Sequence, residues 1–330
     1  MNSFGRLMRL TIFGESHGEA VGVVIEGCPA GLSLTEEDFS ADLSRRQSGL
    51  EGTTARREPD IPILKSGLFK KKTTGAPLMI LFENKDVKSE DYTPLKDTPR
   101  PGHVDFVAHN KYGGFYDFRG SGPFSGRLTV ALVAAGIIAK KILTPTKVSA
   151  SLLEVNGRRD IQEAVQSAIQ EKDSVGGIIE CRVNELPIGL GEPFFDSVES
   201  LISHIVFAIP GIKGIEFGAG FSASRMKGSQ FNDILFNKEG KTATNFAGGI
   251  NGGITNGNEL VFKVAVRPPS SIGKEQDTIN LKTGQPAKVS AKGRHDVCIA
   301  LRMPVIIEAV TAFVLADLAL IEQKIPKILK

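Results

Sequence analysis

Leu10-Thr11-Ile12-Phe13-Gly14-Glu15-Ser16-His17-Gly18-Glu19-Ala20-Val21-Gly22-Val23-Val24-Ile25 holds two short apolar runs around a five-residue polar turn. Both runs are rich in β-branched residues, so they read as paired strands of a hairpin. Glycine at each end of the turn, Gly14 and Gly18, frees the backbone for conformations that a Cβ would forbid. The tip carries an acid, a hydroxyl and an imidazole, a set found in ordinary polar loops as well as in reactive ones. The same letters match the Gly-x-Ser-x-Gly turn of α/β-hydrolases, but that turn runs from a strand into a helix. Here the following segment is β-branched with Gly22 in its middle, which leaves a serine hydrolase built on Ser16 as an alternative only.

Outward from the hairpin, 330 residues with 41% apolar and 23% charged content suffice for a large core, and the chain reads as one domain over residues 1–330. A net charge of +3 is too small to imply nucleic acid or a membrane surface, and Lys70-Lys71-Lys72 reads as a solvated turn. Three widely spaced cysteines, Cys28, Cys181 and Cys298, offer neither a zinc motif nor a redox pair, so no metal is expected and a reduced, cytoplasmic protein is. The amino-terminal residues lack the basic, apolar and small-residue regions of an export signal. Of two long apolar stretches, residues 128–139 are too few to span a bilayer and residues 305–321 carry Glu308 and Asp317, so both read as buried helices.

A helix is expected from Thr35 as cap, with acids in its first turn, ending near Arg45-Arg46, which would cap the last carbonyls or reach an anion. Residues 50–99 read as loop-rich with short strands at 61–64 and 77–82, and residues 84–98 as one long polar loop. Pro101 and Gly102 in Arg100-Pro101-Gly102-His103 hold His103 on a rigid turn. In residues 117–127, glycines, Ser121, Ser125 and arginines precede a helix apolar nearly all round, a place where unpaired backbone N–H groups suit an anion. It is neither a Walker loop nor a Gly-x-Gly-x-x-Gly fingerprint. The middle third reads as helix (160–171), strand (177–183) and helix (197–209), with His204 and His109 in structural roles. Glycine density peaks over residues 245–257, suggesting close approach of backbone to a ligand or another subunit, before a strand and the polar turn Arg267-Pro268-Pro269-Ser270-Ser271. Gly293-Arg294-His295-Asp296 then leads to a second apolar helix from Pro304, echoing residues 119–143 and hinting at two related halves.

Special turns thus carry His17, His103, His295 and Asp296, while arginines recur at 45, 46, 100, 119, 127, 294 and 302. Arginine forks grip carboxylates and phosphates, and imidazoles move protons near neutral pH, so a polyanionic small substrate suits the set. Gly14-Glu15-Ser16-His17-Gly18, Arg100-Pro101-Gly102-His103, residues 245–257 with Ser270-Ser271, and Gly293-Arg294-His295-Asp296 come in the order seen in chorismate synthases, which the chain resembles nearly end to end.

That resemblance implies an α/β (α+β) sandwich with central buried helices between antiparallel β-sheets, assembled as a homotetramer. It implies conversion of 5-enolpyruvylshikimate 3-phosphate to chorismate and phosphate by 1,4-anti elimination, with reduced FMN required but no net redox change. Whether the chain reduces its own flavin with NAD(P)H stays open. By resemblance the catalytic residues are His17, on the flavin side, His103, toward the leaving phosphate, and Asp296, assisting proton movement at flavin N5. Substrate anions would meet Ser16, Arg46, Arg100 and Arg127. FMN would contact Ser125, Gly252, Arg267, Pro268, Pro269, Ser270, Ser271 and Arg294. The chain departs from the family where Arg-Gly-Gly-Gly-Arg-Ser-Ser-Ala-Arg-Glu-Thr is common: it has Arg119-Gly120-Ser121-Gly122-Pro123-Phe124-Ser125-Gly126-Arg127-Leu128-Thr129, losing an arginine and a serine. Glu51-Gly52 replaces another usual arginine, and Arg267-Pro268-Pro269 a usual Lys-Pro-Thr. A non-catalytic protein that binds phosphoanions or flavin is the third reading.

Overall fold

The opening hairpin forms as its sequence implies. In the computed structural model, which describes residues 2–291 and 295–329, strand β1 (Ser3–Phe4) is followed by β2 (Arg9–Gly14) and β3 (Ala20–Glu26), paired antiparallel with Phe13 opposite Gly22. Arg294, expected at the cofactor, lies outside the described residues. Gly22 is there for space: a Cβ on it would fall 2.6 Å from Phe13 Cζ and 2.5 Å from the Ile80 carbonyl. Of the two turn glycines only Gly14 uses its freedom, with φ at 96°, whereas Gly18 is in no such conformation.

Helix α1 (Ser40–Arg46) continues a 3-10 turn, Glu36–Phe39, whose start is held by Asp38 accepting the Thr35 backbone N–H at 2.8 Å. Then come β4 (Ile63–Leu64), β5 (Leu68–Phe69), β6 (Lys72–Thr73) and β7 (Leu78–Glu83). The first sheet runs β1-β2-β3-β7-β4, antiparallel throughout. The expected long loop of residues 84–98 contains a 3-10 segment, Ser89–Lys96. Helices α2 (Asp105–Lys111) and α3 (Thr129–Ile142) follow.

The middle third holds more strand than its sequence suggests: β8 (Lys147–Val155), α4 (Ile161–Gln170), β9 (Gly177–Asn184), α5 (Val198–Val206) and β10 (Ile212–Phe217). Strand β8 escapes the reading because its inward positions alternate small with large residues, Val148, Ala150 and Leu152, against serines. After α6 (Gly228–Phe231) come the hairpin β11 (Ile250–Asn251) and β12 (Ile254–Thr255), then β13 (Leu260–Val266), the hairpin β14 (Gln276–Ile279) and β15 (Pro286–Val289), and finally α7 (Pro304–Ile321). The second sheet is also antiparallel, in the order β10-β13-β9-β8.

Helices α3 and α7 pack on each other, α3 also against β2, β3 and β7, and α7 against β8, β9 and α5. Their approach is close because α3 offers Gly136, where a Cβ would come within 2.2 Å of Ala309 Cβ. Helix α7 is long and apolar enough to cross a membrane, yet 89% of it is buried inside the chain, as a core helix is. Both its acids are satisfied. Asp317 accepts the backbone N–H groups of Arg6, Leu7 and Met8 at 2.8–2.9 Å, and Glu308 takes Arg45 at 2.7 Å, Lys140 at 2.8 Å and the Ala150 N–H at 3.0 Å.

Candidate active site

The hairpin tip is covered rather than presented to solvent. Ser16 and His17 are both buried. The Ser16 N–H donates to the Gly122 carbonyl at 3.2 Å, and Asn84 Nδ2 donates to the carbonyls of Glu15 (3.0 Å) and Gly18 (2.8 Å). Segment 120–122 crosses the tip at a distance only glycine permits, since a Cβ on Gly120 would lie 2.4 Å from His17 Cδ2 and 2.8 Å from Ser16 Oγ. His17 is oriented by Ser89 Oγ at 3.1 Å from Nδ1 and by the edge of the Tyr92 ring at 5.0 Å between centroids.

Next to this tip opens a cavity of about 250 Å³. Ser16, Arg46, Arg100, His103, Ser125, Arg127, Arg267, Pro269, Ser270, Ser271 and Asp296, drawn from nearly the whole chain, share its lining. Pro268 and His17 are not among the lining residues, although their chain neighbours Arg267, Pro269 and Ser16 are, and Gly252 is not brought there. The β11–β12 hairpin that carries Gly252 is pinned elsewhere: Val198 N–H donates to the Gly253 carbonyl and Thr255 bonds to Gly189 and Leu190. The close backbone approaches of Gly248 and Gly249 are likewise to this chain's own Gly218 and Glu259.

Lining arginines at 46, 56, 100, 127, 267 and 302 outnumber the lining acids Glu58, Asp60 and Asp296. Their partners were not legible locally. The pair at the end of α1 does not cap the helix: Arg45 goes to Asp42 and Glu308, and Arg46 turns into the cavity. Asp60, wholly buried, bridges Arg46 and Arg127. Burial pushes its carboxyl up, but the two guanidiniums outweigh that and hold it below the usual carboxylate range. Burial, with Arg302 and Arg127 nearby, brings Arg46 down to about 10, so it remains a cation at neutral pH. Its Nε is buried with no hydrogen-bond partner among the described residues. An anion in the cavity would satisfy such a donor.

Arg56 is a site residue that the sequence reading passed over. It donates to Ser16 Oγ at 2.8 Å, to the Ser16 carbonyl at 3.0 Å and to Glu58 at 2.7 Å, clamping the hairpin tip. Asn84 braces the same tip and accepts from Arg127 Nε at 2.8 Å. The density of charges in Arg56-Arg57-Glu58-Pro59-Asp60, beside a proline, was the available signal. Asp296 accepts from Arg302 at 2.7 Å and from the Thr54 N–H at 3.0 Å, so its carboxylate is aimed by both.

On the facing side, Arg100 donates to both oxygens of Asp105 (2.8 and 2.9 Å) and to Ser271 Oγ (2.8 Å). Ser270 Oγ reaches the Gly102 carbonyl at 2.8 Å, which ties turn 267–271 to the His103 turn. His103 Nδ1 lies 2.6 Å from Asp105 Oδ1. Burial raises the Asp105 carboxyl, but hydrogen bonds from Arg100 and His103 hold it well below its ordinary value. Asp105 therefore has no proton to give, and its 2.6 Å contact, closer than that of Arg100 Nη2 at 3.1 Å, favours the tautomer with the proton on Nδ1 and Nε2 as acceptor in the neutral ring. Burial, aided by Arg100 and Arg267 and opposed by Asp105, lowers the His103 pKa. Folding thus favours neutral His103, and its share of stability fades as pH falls below the ordinary imidazole value. In an NMR titration of the unliganded protein, His103 is expected to show a midpoint below about 6.5, and a phosphate dianion should raise it. An unliganded midpoint above that value would contradict this electrostatic account. Among the described residues, no group of three or more His, Cys, Asp and Glu is placed to hold a metal ion.

With this geometry in hand, comparison with known proteins is specific. A chorismate synthase family model matches residues 8–320. The chorismate synthase of Chitinophaga pinensis is 62% identical over 331 residues, covering 100% of both chains. That of Dehalococcoides mccartyi is 42% identical over 362 residues, covering 100% of this chain and 99% of its own. A solved crystal structure of a chorismate synthase superposes with a TM-score of 0.75 at 25% identity, over 97% of this chain and 93% of the other.

Proposed function

The chain belongs to the chorismate synthase family, lyases that eliminate phosphate from 5-enolpyruvylshikimate 3-phosphate to give chorismate, and from that premise we propose that the arginine-lined cavity is where it does so, with reduced FMN as cofactor. The observation that carries the reading is the convergence of Ser16, Arg46, Arg100, His103, Arg127 and Asp296 on one cavity. The substrate bears a phosphate and two carboxylates, and the excess of arginines there complements that charge. Ser16 precedes a strand and its hydroxyl accepts from Arg56, an arrangement unlike a hydrolase nucleophile.

The residues present also fit a flavin phosphate: Ser125, Ser270 and Ser271 offer hydroxyls on the cavity lining beside the Arg267 guanidinium. Ser125 and residues 267–271 would hold the cofactor, with Arg294 and Gly252 as further contacts carried by the resemblance. Bound there, reduced FMN would supply the electron density that no side chain here provides, without net consumption. Arg46 and Arg100 stabilise the departing phosphate, because fixed cations in a water-poor cleft act most strongly where negative charge develops. His103 delivers a proton to that phosphate, with Asp105 holding its Nδ1. His17, fixed through Nδ1 by Ser89, holds a proton on the cofactor side, and Asp296, aimed by Arg302 and the Thr54 N–H, assists its movement.

The deciding assay is anaerobic chorismate formation by the purified protein. With FMN and dithionite, many turnovers per flavin are expected; equal rates with oxidised FMN or without flavin would overturn the cofactor assignment. The single-domain, sandwich reading is supported by α3 lying on the first sheet and α7 on the second, and the two-halves reading by the Gly/Arg-rich sequences that precede both helices. A cytoplasmic homotetramer completes the proposal.

A further inference from the structure

We infer that Ser121 is a catalytic proton relay, its hydroxyl passing the proton between the His103 imidazole and the leaving phosphate. This rests on the role proposed above for His103. Residues 120–122 all have positive φ (55°, 70° and 49°), and Ser121 is the member of the three with a side chain. Glycine would meet that backbone without strain, so the backbone itself does not call for serine. Strain of this kind persists at sites where the side chain has a use. Here it places Ser121 Oγ 3.1 Å from His103 Nε2, on the cavity lining.

The ring's other nitrogen is enclosed by Asp105 at 2.6 Å and Arg100 Nη2 at 3.1 Å, so proton traffic between His103 and the cavity runs through Nε2, and the hydroxyl stands over it. In the neutral ring Nε2 accepts the Ser121 O–H. When the ring is protonated the bond reverses: Nε2–H donates to Oγ, and the serine's own O–H, still intact, turns toward the cavity. Transfer of the Nε2 proton to Oγ as the Oγ proton moves to a phosphate oxygen delivers one proton to the leaving group. Ser121 is left as it began and His103 neutral, with Nδ1–H still on Asp105. The groups acting electrostatically on the ring are Asp105, Arg100 and Arg267.

The test compares Ser121→Gly, Ser121→Ala, His103→Ala and the Ser121→Gly/His103→Ala pair in the flavin-reduced enzyme. Ser121→Gly, which relieves the backbone, is expected to keep or raise Tm while lowering kcat roughly 10- to 100-fold, within the range of proton-transfer contributions, with KM little changed. The loss should vanish in the His103→Ala background, where no proton is left to pass on. A readout free of turnover is the NMR titration of His103 with and without inorganic phosphate. The hydroxyl bonds both ring forms, the charged one more strongly, so Ser121→Gly should lower the midpoint, and an unchanged midpoint would overturn the hydrogen bond. Wild-type kcat in Ser121→Gly beside a crippled His103→Ala would overturn the relay and leave the role of His103 standing. A His103→Ala enzyme with normal turnover would remove that role, and the relay with it.

Discussion

Replacing His103 or His17 by alanine is expected to lower turnover about a hundred- to ten-thousand-fold, the range for loss of a general acid or base. Substrate binding should weaken much less. His103 contacts Asp105 and Ser121, and His17 is braced by Ser89 and Tyr92, so each ring is fixed in orientation for its proposed proton handling, with anion binding assigned to the arginines. The loss should therefore fall on kcat rather than KM. Asp105→Asn should reproduce part of the His103 defect, since an amide oxygen still accepts Nδ1–H but no longer supplies the charge that favours the imidazolium. Turnover within twofold of wild type in either alanine variant would remove that histidine from the mechanism.

Asp60→Asn is expected to cost about 3–5 kcal/mol of folding stability, the usual penalty for breaking a buried ion pair from one side. Arg46 and Arg127 have side chains 5% and 3% exposed and share this wholly buried carboxylate, so without it two cations face each other in a cleft. Asparagine keeps the shape and tolerates the left-handed backbone at Asp60, where φ is 49°, which confines the change to charge. The drop in Tm should be roughly 4–7 °C for a chain of this length, and a bound phosphorylated substrate should recover more of it in the variant than in wild type. Since the carboxyl sits below its ordinary pKa in the fold, its contribution is complete at neutral pH and fades as pH falls through the carboxylate range and below. An unchanged Tm would show that the arginines do not depend on Asp60.

The sequence by itself determined the elements whose signals are local. Alternation and β-branching gave the β2–β3 hairpin, apolar residues on every face marked α3 and α7 as core helices, and Pro101-Gly102 placed His103 on a turn. The order of motifs then carried the family. Tertiary structure alone decided which charge meets which. Arg45 and Arg46 are adjacent, yet one is drawn to Glu308, 263 positions away, and the other to Asp60 and the cavity. Arg56 reaches Ser16 across 40 positions, and Ser121 finds His103 only because segment 120–122 folds over the hairpin tip. Period and turn chemistry are set by neighbours along the chain, whereas a guanidinium or carboxylate is stabilised by whatever opposite charge the fold brings within about 4 Å of it, and that distance is not written in the order of residues.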